Sequence, residues 1–159
     1  MKLAVAEKLG GAPHSKLALR LWLRLLTCSM AIEKRIRVRL TDAFDTTLPR
    51  FDVLSALDRA HDGLTMGQLS SALLVSNGNI TGIVTRLIDD GLVVREADPN
   101  DRRTLHVRLT DKGRAEFEAM AHAHEAWLDQ LMADLGSEEM ETLLTLLDRV
   151  RNSIGESRL

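Results

Sequence analysis

A chain of 159 residues that is 45% hydrophobic and has only three prolines is long enough to bury a core and is suited to helix. A formal charge of −2 and an isoelectric point near 6.2 exclude a uniformly basic surface, so any contact with nucleic acid has to come from a local patch. The single Cys28 excludes an internal disulfide, and the apolar run over residues 17–32 carries Arg20 and Arg24 and is shorter than a bilayer span. With no secretory pattern ahead of that run, a reducing, cytoplasmic location is expected.

The first predicted element is a helix from Ser15 to about Ala43, with Leu17, Leu21, Leu25, Cys28 and Ile32 at helical spacing. Leu19, Trp22, Leu23 and Leu26 make its first half apolar nearly all round, so it must be covered on several sides. Its second half carries the basic run Lys34-Arg35-Ile36-Arg37-Val38-Arg39, which reads either as a solvated face or as a binding surface for a multiply charged anion. Thr47 and Pro49 then open a second helix, LPRFDVLSALDRAH, and Thr65 with Gln68 forms a capping box for a third.

Ser76 is a good N-cap for a fourth helix, in which Ile80, Ile83, Val84, Leu87 and Ile88 form an inward stripe. At about 100° per residue the opposite side centres on Gly78, Gly82 and Thr85, with Asn79 and Arg86 on one shoulder and Thr81 on the other. Each glycine costs a helix about 1 kcal/mol relative to alanine, so two on the outward face imply close approach of a partner to the backbone. Double-stranded DNA fits, because a helix N-terminus attracts phosphate and Asn and Thr read base edges in a major groove.

Val93–Ala97 and residues 104–109 follow as short strands around the turn Asp98-Pro99-Asn100-Asp101, which puts Arg102 and Arg103 near a loop tip. From there an arginine can enter a minor groove, and Asp101 is expected to hold its guanidinium. Thr110 caps a fifth helix bearing Phe117, Met120, Ala121, His124, Trp127, Leu128, Leu131 and Leu135. Gly136 is expected to end it, and Ser137 to cap a sixth with Met140, Leu143, Leu144, Leu147, Val150 and Ile154.

The fold class is therefore mainly α with a small β-hairpin wing: a winged helix-turn-helix over 47–110, flanked by an N-terminal helix in 1–46 and C-terminal helices in 111–159. The terminal helices have more apolar surface than the small reader can cover. Pairing them across a two-fold axis would bury it in a homodimer and suit a palindromic site. Charge is uneven as well: residues 1–40 hold nine Lys/Arg against two Asp/Glu, whereas 41–110 hold seven against ten and 111–159 five against eleven.

No catalytic set, metal site or cofactor is expected. The histidines are scattered, His122 and His124 point to different sides of a helix, and no P-loop, dinucleotide fingerprint or G-x-S-x-G occurs.

The stretches LTMGQLSSALLVSNGNITGIVTRLIDDGLVVRE and DPNDRRTLHVRLTDKG together resemble the MarR family of bacterial winged-helix regulators, in order and spacing over some fifty residues. The resemblance implies a homodimer with a recognition helix in the major groove and a wing in the minor groove. It carries Asp101 and Arg103 over as the wing pair, and Ser76, Asn77, Thr81 and Arg86 as recognition contacts. Several members have a basic residue where this chain has Gly82, so the operator sequence does not carry over.

The resemblance also implies a ligand cleft where the first, second and fifth helices meet the reader, here offering Trp22, Leu26, Arg50, Phe51, Leu54 and Trp127. Such a lining suits an aromatic carboxylate, although each apolar member also reads as core. LRLWLRLLTC with TLPRFDVLSALDR is similar to family repressors that respond to hydroxycinnamoyl-CoA thioesters, for which Arg35, Arg37 and Arg39 would hold phosphate groups.

Some relatives sense peroxide through a first-helix cysteine. Theirs are surrounded by tyrosines, which this chain lacks, and would fall nearer Leu23, so Cys28 is expected to be buried and structural. The rival readings are a redox regulator on this fold and a helical interaction protein without DNA affinity.

Overall fold

The computed structural model describes residues 13–73 and 80–155. Ser76, Asn77, Gly78 and Asn79 lie outside the described residues. The chain forms α1 (Pro13–Phe44), α2 (Leu48–Arg59), α3 (Met66–Ala72), α4 (Ile80–Asp89), β1 (Val93–Ala97), β2 (Leu105–Leu109), α5 (Asp111–Leu131) and α6 (Ser137–Ser153). It divides into two compact units, one ending at Ala123 and the other beginning at His124.

In the first unit, local chemistry sets most boundaries. Helix α1 stops where Asp45 adopts a left-handed φ of 48°, a conformation that α-helix cannot continue through. Thr47 is the extended N-cap of α2, with proline in its first turn. At α3 the capping box is reciprocal, the Gln68 amide donating to the Thr65 hydroxyl at 3.1 Å and the Thr65 amide to the Gln68 side chain at 2.9 Å.

The hairpin is antiparallel, with Val93 opposite Leu109 and Ala97 opposite Leu105. A further bridge joins Leu64 to Val107 through two backbone bonds of 3.0 and 2.8 Å. Gly63 allows it by taking a φ of +79°, with its Cα so close to β2 that a Cβ would stand 2.7 Å from the Val107 carbonyl.

Leu40, Val53, Leu54, Leu57, Leu69, Val84, Leu87, Val93 and Val107 are fully buried and form the core of this unit. At about 1.5–3 kcal/mol for each large apolar side chain, this burial is the main force fixing α4 against α2, α3 and β1. Phe51 and Phe117 meet with ring centroids 5.6 Å apart.

Two sequence expectations change. Helix α5 ends at Leu131 rather than at Gly136, because Gly136 is extended and serves as the N-cap of α6, its amide donating to the Glu139 carboxylate at 2.8 Å. Ser137 is thus the first residue of α6 and not its cap. Cys28 is exposed rather than buried, since it lies on the half of α1 that the chain itself leaves bare. Leu17, Leu21, Trp22 and Met30 on that half are each more than half exposed. In the second unit, α6 buries none of its residues, and Leu144 and Ile154 are 62% and 68% exposed. No helix among the described residues is long and apolar enough to cross a membrane.

Candidate nucleic-acid interface

Helix α4 places Val84 and Leu87 in the core, with Ile80, Ile83 and Ile88 half-buried beside them. Thr81, Thr85 and Arg86 are exposed and Gly82 is half-buried. The Thr85 hydroxyl donates to the Thr81 carbonyl at 2.8 Å, which leaves its oxygen as an acceptor for an incoming partner. Arg86 makes no ion pair among the described residues.

The wing is held by two aspartates. The Asp98 carboxylate accepts from the amides of Asn100 and Asp101 at 2.7 and 3.3 Å. The Asn100 amide above all holds that carboxyl below the usual carboxylate range. This stabilisation is present above the ordinary value of 3.8 and is lost as pH falls through the depressed one. Asp101 accepts from the Arg103 amide and the Thr104 hydroxyl, both at 3.0 Å.

This corrects the expectation that Asp101 grips the Arg103 guanidinium. A short side chain reaches nearby backbone donors before a long flexible head, so Asp101 shapes the turn and the guanidinium is left to solvent. Arg102 and Arg103 are exposed at the tip, and neither makes an ion pair among the described residues.

Arg95 on β1 is a further exposed cation, its guanidinium 3.9 Å from the Met66 sulfur at the start of α3. Sequence reasoning misses it, although the third position of VVREA on a strand beside the wing is signal enough. His106 ties the wing to the loop ahead of α3, with Nδ1 3.2 Å from the Asp62 carbonyl and Nε2 3.6 Å from Asp98. Arg86, Arg95, Arg102 and Arg103 are thus exposed guanidinium groups within the reader segment of an acidic chain. If Arg86 meets phosphate, Arg86→Ala should weaken specific and non-specific DNA alike and reduce the slope of log K against log salt by about one unit. Binding isotherms at several salt concentrations measure this, and an unaltered slope would make the arginine structural.

The residues expected to line a ligand cleft are spread over several environments of the two units. Arg50 and Leu54 border a cavity of about 290 Å³ with Phe44, Asp45, Thr46, Leu92, Glu116, Ala119 and Met120. Phe51 is core, turned onto Phe117. Trp22 and Leu26 lie on the bare part of α1, 57% and 39% exposed, and Trp127 belongs to the second unit. The Arg50 guanidinium donates to the Asp90 carboxylate at 2.5 Å.

The basic run of α1 is also split. Arg37 is taken by Glu33 one turn earlier, because i and i+4 share a face. Lys34, Arg35 and Arg39 instead border a shallow groove of about 410 Å³ with Ala31 and Val38. Burial between α1 and α2 raises the Asp52 carboxyl above its ordinary value, against the opposing pull of Arg37.

Over residues 44–104 the chain matches the model of the MarR family. It is 32% identical over 143 residues to the transcriptional activatory protein BadR of Rhodopseudomonas palustris, covering 86% of this chain and 81% of that protein. Among solved structures, a MarR family transcriptional regulator from Silicibacter pomeroyi is similar with a TM-score of 0.79 at 32% identity, over 91% of this chain and 99% of that one. A mutant MarR from E. coli complexed with operator DNA is similar with a TM-score of 0.72 at 26% identity, over 88% of this chain and 99% of that one. These relatives are transcription regulators and not enzymes.

Proposed function

The chain belongs to the MarR family of winged-helix transcriptional regulators, and on that premise we propose that it is a cytoplasmic, homodimeric repressor that releases a palindromic operator when a small anionic aromatic effector binds. The observation that carries the DNA half is an exposed face of α4, Thr81, Thr85 and Arg86, together with a wing tip whose two arginines are exposed and make no ion pair among the described residues. In this reading Ser76, Asn77, Gly78, Asn79, Thr81, Gly82, Thr85 and Arg86 are the major-groove contacts, Thr81 and Gly82 lying in the first turn of α4 where phosphate is best received. Arg102 and Arg103 enter the flanking minor groove on a turn preset by Asp101.

The dimer half is supported by the bare apolar faces of α1 and, separately, of α6, which a soluble monomer would expose at a cost. Residues 47–110 are then the reader and the segments 1–46 and 111–159 the pairing arms. The effector half is supported by the cavity beside Arg50 and Leu54 and by the Arg35 and Arg39 groove. A free aromatic acid would need only the cavity, whereas the phosphates of a coenzyme A thioester would engage the groove.

The test is a gel-shift of the DNA upstream of its own gene, with and without benzoate and benzoyl-CoA, beside a reporter fused to the same DNA. A shift abolished by either effector, with reporter activity rising when the protein is deleted, is the expected result. Reporter activity falling on deletion would make the protein an activator, as BadR is by name. No shift at all would leave a helical interaction protein. Replacing Arg35 and Arg39 together by Gln should lower benzoyl-CoA affinity about tenfold or more and leave operator affinity intact. Arg37→Gln should change it less, because Arg37 does not border the groove. Fluorescence of Trp22 and Trp127 reports the titrations, and equal losses from Arg37 and Arg35 would remove the groove from the reading.

A further inference from the structure

We propose that the ion pair between Arg50 and Asp90 is the joint through which the effector cavity acts on the recognition helix, the carboxylate of an aromatic acid taking Arg50 away from Asp90. This inference rests on the anionic effector of the preceding reading and adds the residues that transmit its binding.

Arg50 lies in the first turn of α2 and borders the cavity with its side chain only 21% exposed. Asp90 is the residue immediately after α4. Its amide donates to the Arg86 carbonyl at 3.0 Å and its carbonyl accepts from the Lys112 ammonium at 2.8 Å, so its backbone closes the reading helix. Its side chain is the part that fastens that helix end to α2, through the 2.5 Å contact with Arg50. Forty positions of chain separate the two residues, so no local constraint keeps them together.

Charge favours the exchange. Asp45 and Glu116 also border the cavity, and the Lys112 ammonium stands 3.9 Å from Glu116. Among the described residues Arg50 is the one guanidinium on the wall, set among these carboxylates and Asp90. A ligand carboxylate arriving there is repelled unless it engages Arg50, and it then competes with Asp90 for that guanidinium, which Asp90 holds through Nη2. Ligand binding therefore draws on the same charge as the Arg50–Asp90 pair and weakens it, which is what links the two sites. Linkage is reciprocal: operator DNA, by favouring the fastened helix end, must lower affinity for the acid by the same factor.

Operator affinity by fluorescence anisotropy tests the joint without ligand. Asp90→Asn and Arg50→Gln should each weaken binding roughly five- to tenfold, the low end for coupled sites because the pair is partly exposed. The double variant should be no weaker than either, and the reciprocal exchange of Arg50→Asp with Asp90→Arg should recover most of the loss, with melting curves close to the parent throughout. Additive losses without recovery would overturn the joint.

Benzoate and its neutral analogue benzamide then test the exchange. Benzoate should weaken operator binding by the parent protein and benzamide should not, while Asp90→Asn should bind benzoate more tightly and show no operator response to it. Equal benzoate affinity for parent and Asp90→Asn, with the operator response retained, would overturn the exchange and leave the effector reading intact. Benzoate binding to neither protein would overturn the effector reading itself and the exchange with it.

Discussion

Gly113→Ala is expected to lower the melting temperature of the protein by roughly 5–10 °C, the largest loss of stability from a single methyl group added at any described glycine. A Cβ at this position would lie 1.9 Å from the Leu92 carbonyl oxygen and 2.8 Å from its carbon. Both are backbone atoms, and the same oxygen accepts the Thr110 amide at 3.0 Å, so it cannot turn aside without breaking a bond at the start of α5. The Thr110 hydroxyl is committed too, donating to the Gly91 carbonyl at 2.7 Å while accepting the Gly113 amide at 2.9 Å. Alanine would add about 1 kcal/mol of helix propensity. Overpacking typically costs about 1–3 kcal/mol, and a backbone overlap of this size belongs above that range, so the net loss should exceed ~2 kcal/mol. Circular dichroism melts would read it. An unchanged melting temperature would mean that α5 does not lie against Leu92 in solution.

Arg103→Ala is expected to weaken operator binding by about 1–3 kcal/mol, a factor of some five to 150, while leaving the melting curve where it was. The asymmetry comes from the wing geometry. The Arg103 backbone is held by Asp101 at 3.0 Å, whereas the exposed guanidinium makes no ion pair among the described residues. Asp101→Ala should do both kinds of damage, since it removes acceptors for the Arg103 amide and the Thr104 hydroxyl and loosens the tip. Equal operator affinity for Arg103→Ala and the parent, measured at the same salt concentration, would take the wing out of DNA recognition.

What the sequence makes legible is whatever depends on near neighbours. The Thr65–Gln68 box, the Thr47 and Pro49 start, both hairpin strands and the buried stripe of α4 follow from caps, turn residues and period, and each lies where those signals put it. The same signals mislead at Gly136, because a glycine serves helix ends and helix starts alike and only Glu139 decides between them. The sidedness of the basic run is within reach of the sequence, since Glu33 stands four residues before Arg37.

Contacts between distant segments are not legible. Nothing in the chain near Gly113 announces Leu92, and nothing near Arg50 announces Asp90. Asp101 misleads for the opposite reason: the nearest donors to a short side chain are backbone groups, which motif reading by side-chain charge leaves out.

The stitch between Leu64 and Val107, with His106 resting on the Asp62 carbonyl, joins the wing to the approach to α3. The wing therefore does not hang from its own two strands alone, and if it meets DNA as proposed its base is braced like one arm of a calliper. A duplex offered to such a calliper has to supply the adjustment itself. On the proposed reading, the base steps between the major-groove and minor-groove contacts should then matter through how easily they bend and how narrow a groove they allow. Operators for this protein ought to share pliable steps at those silent positions even where their contacted bases differ.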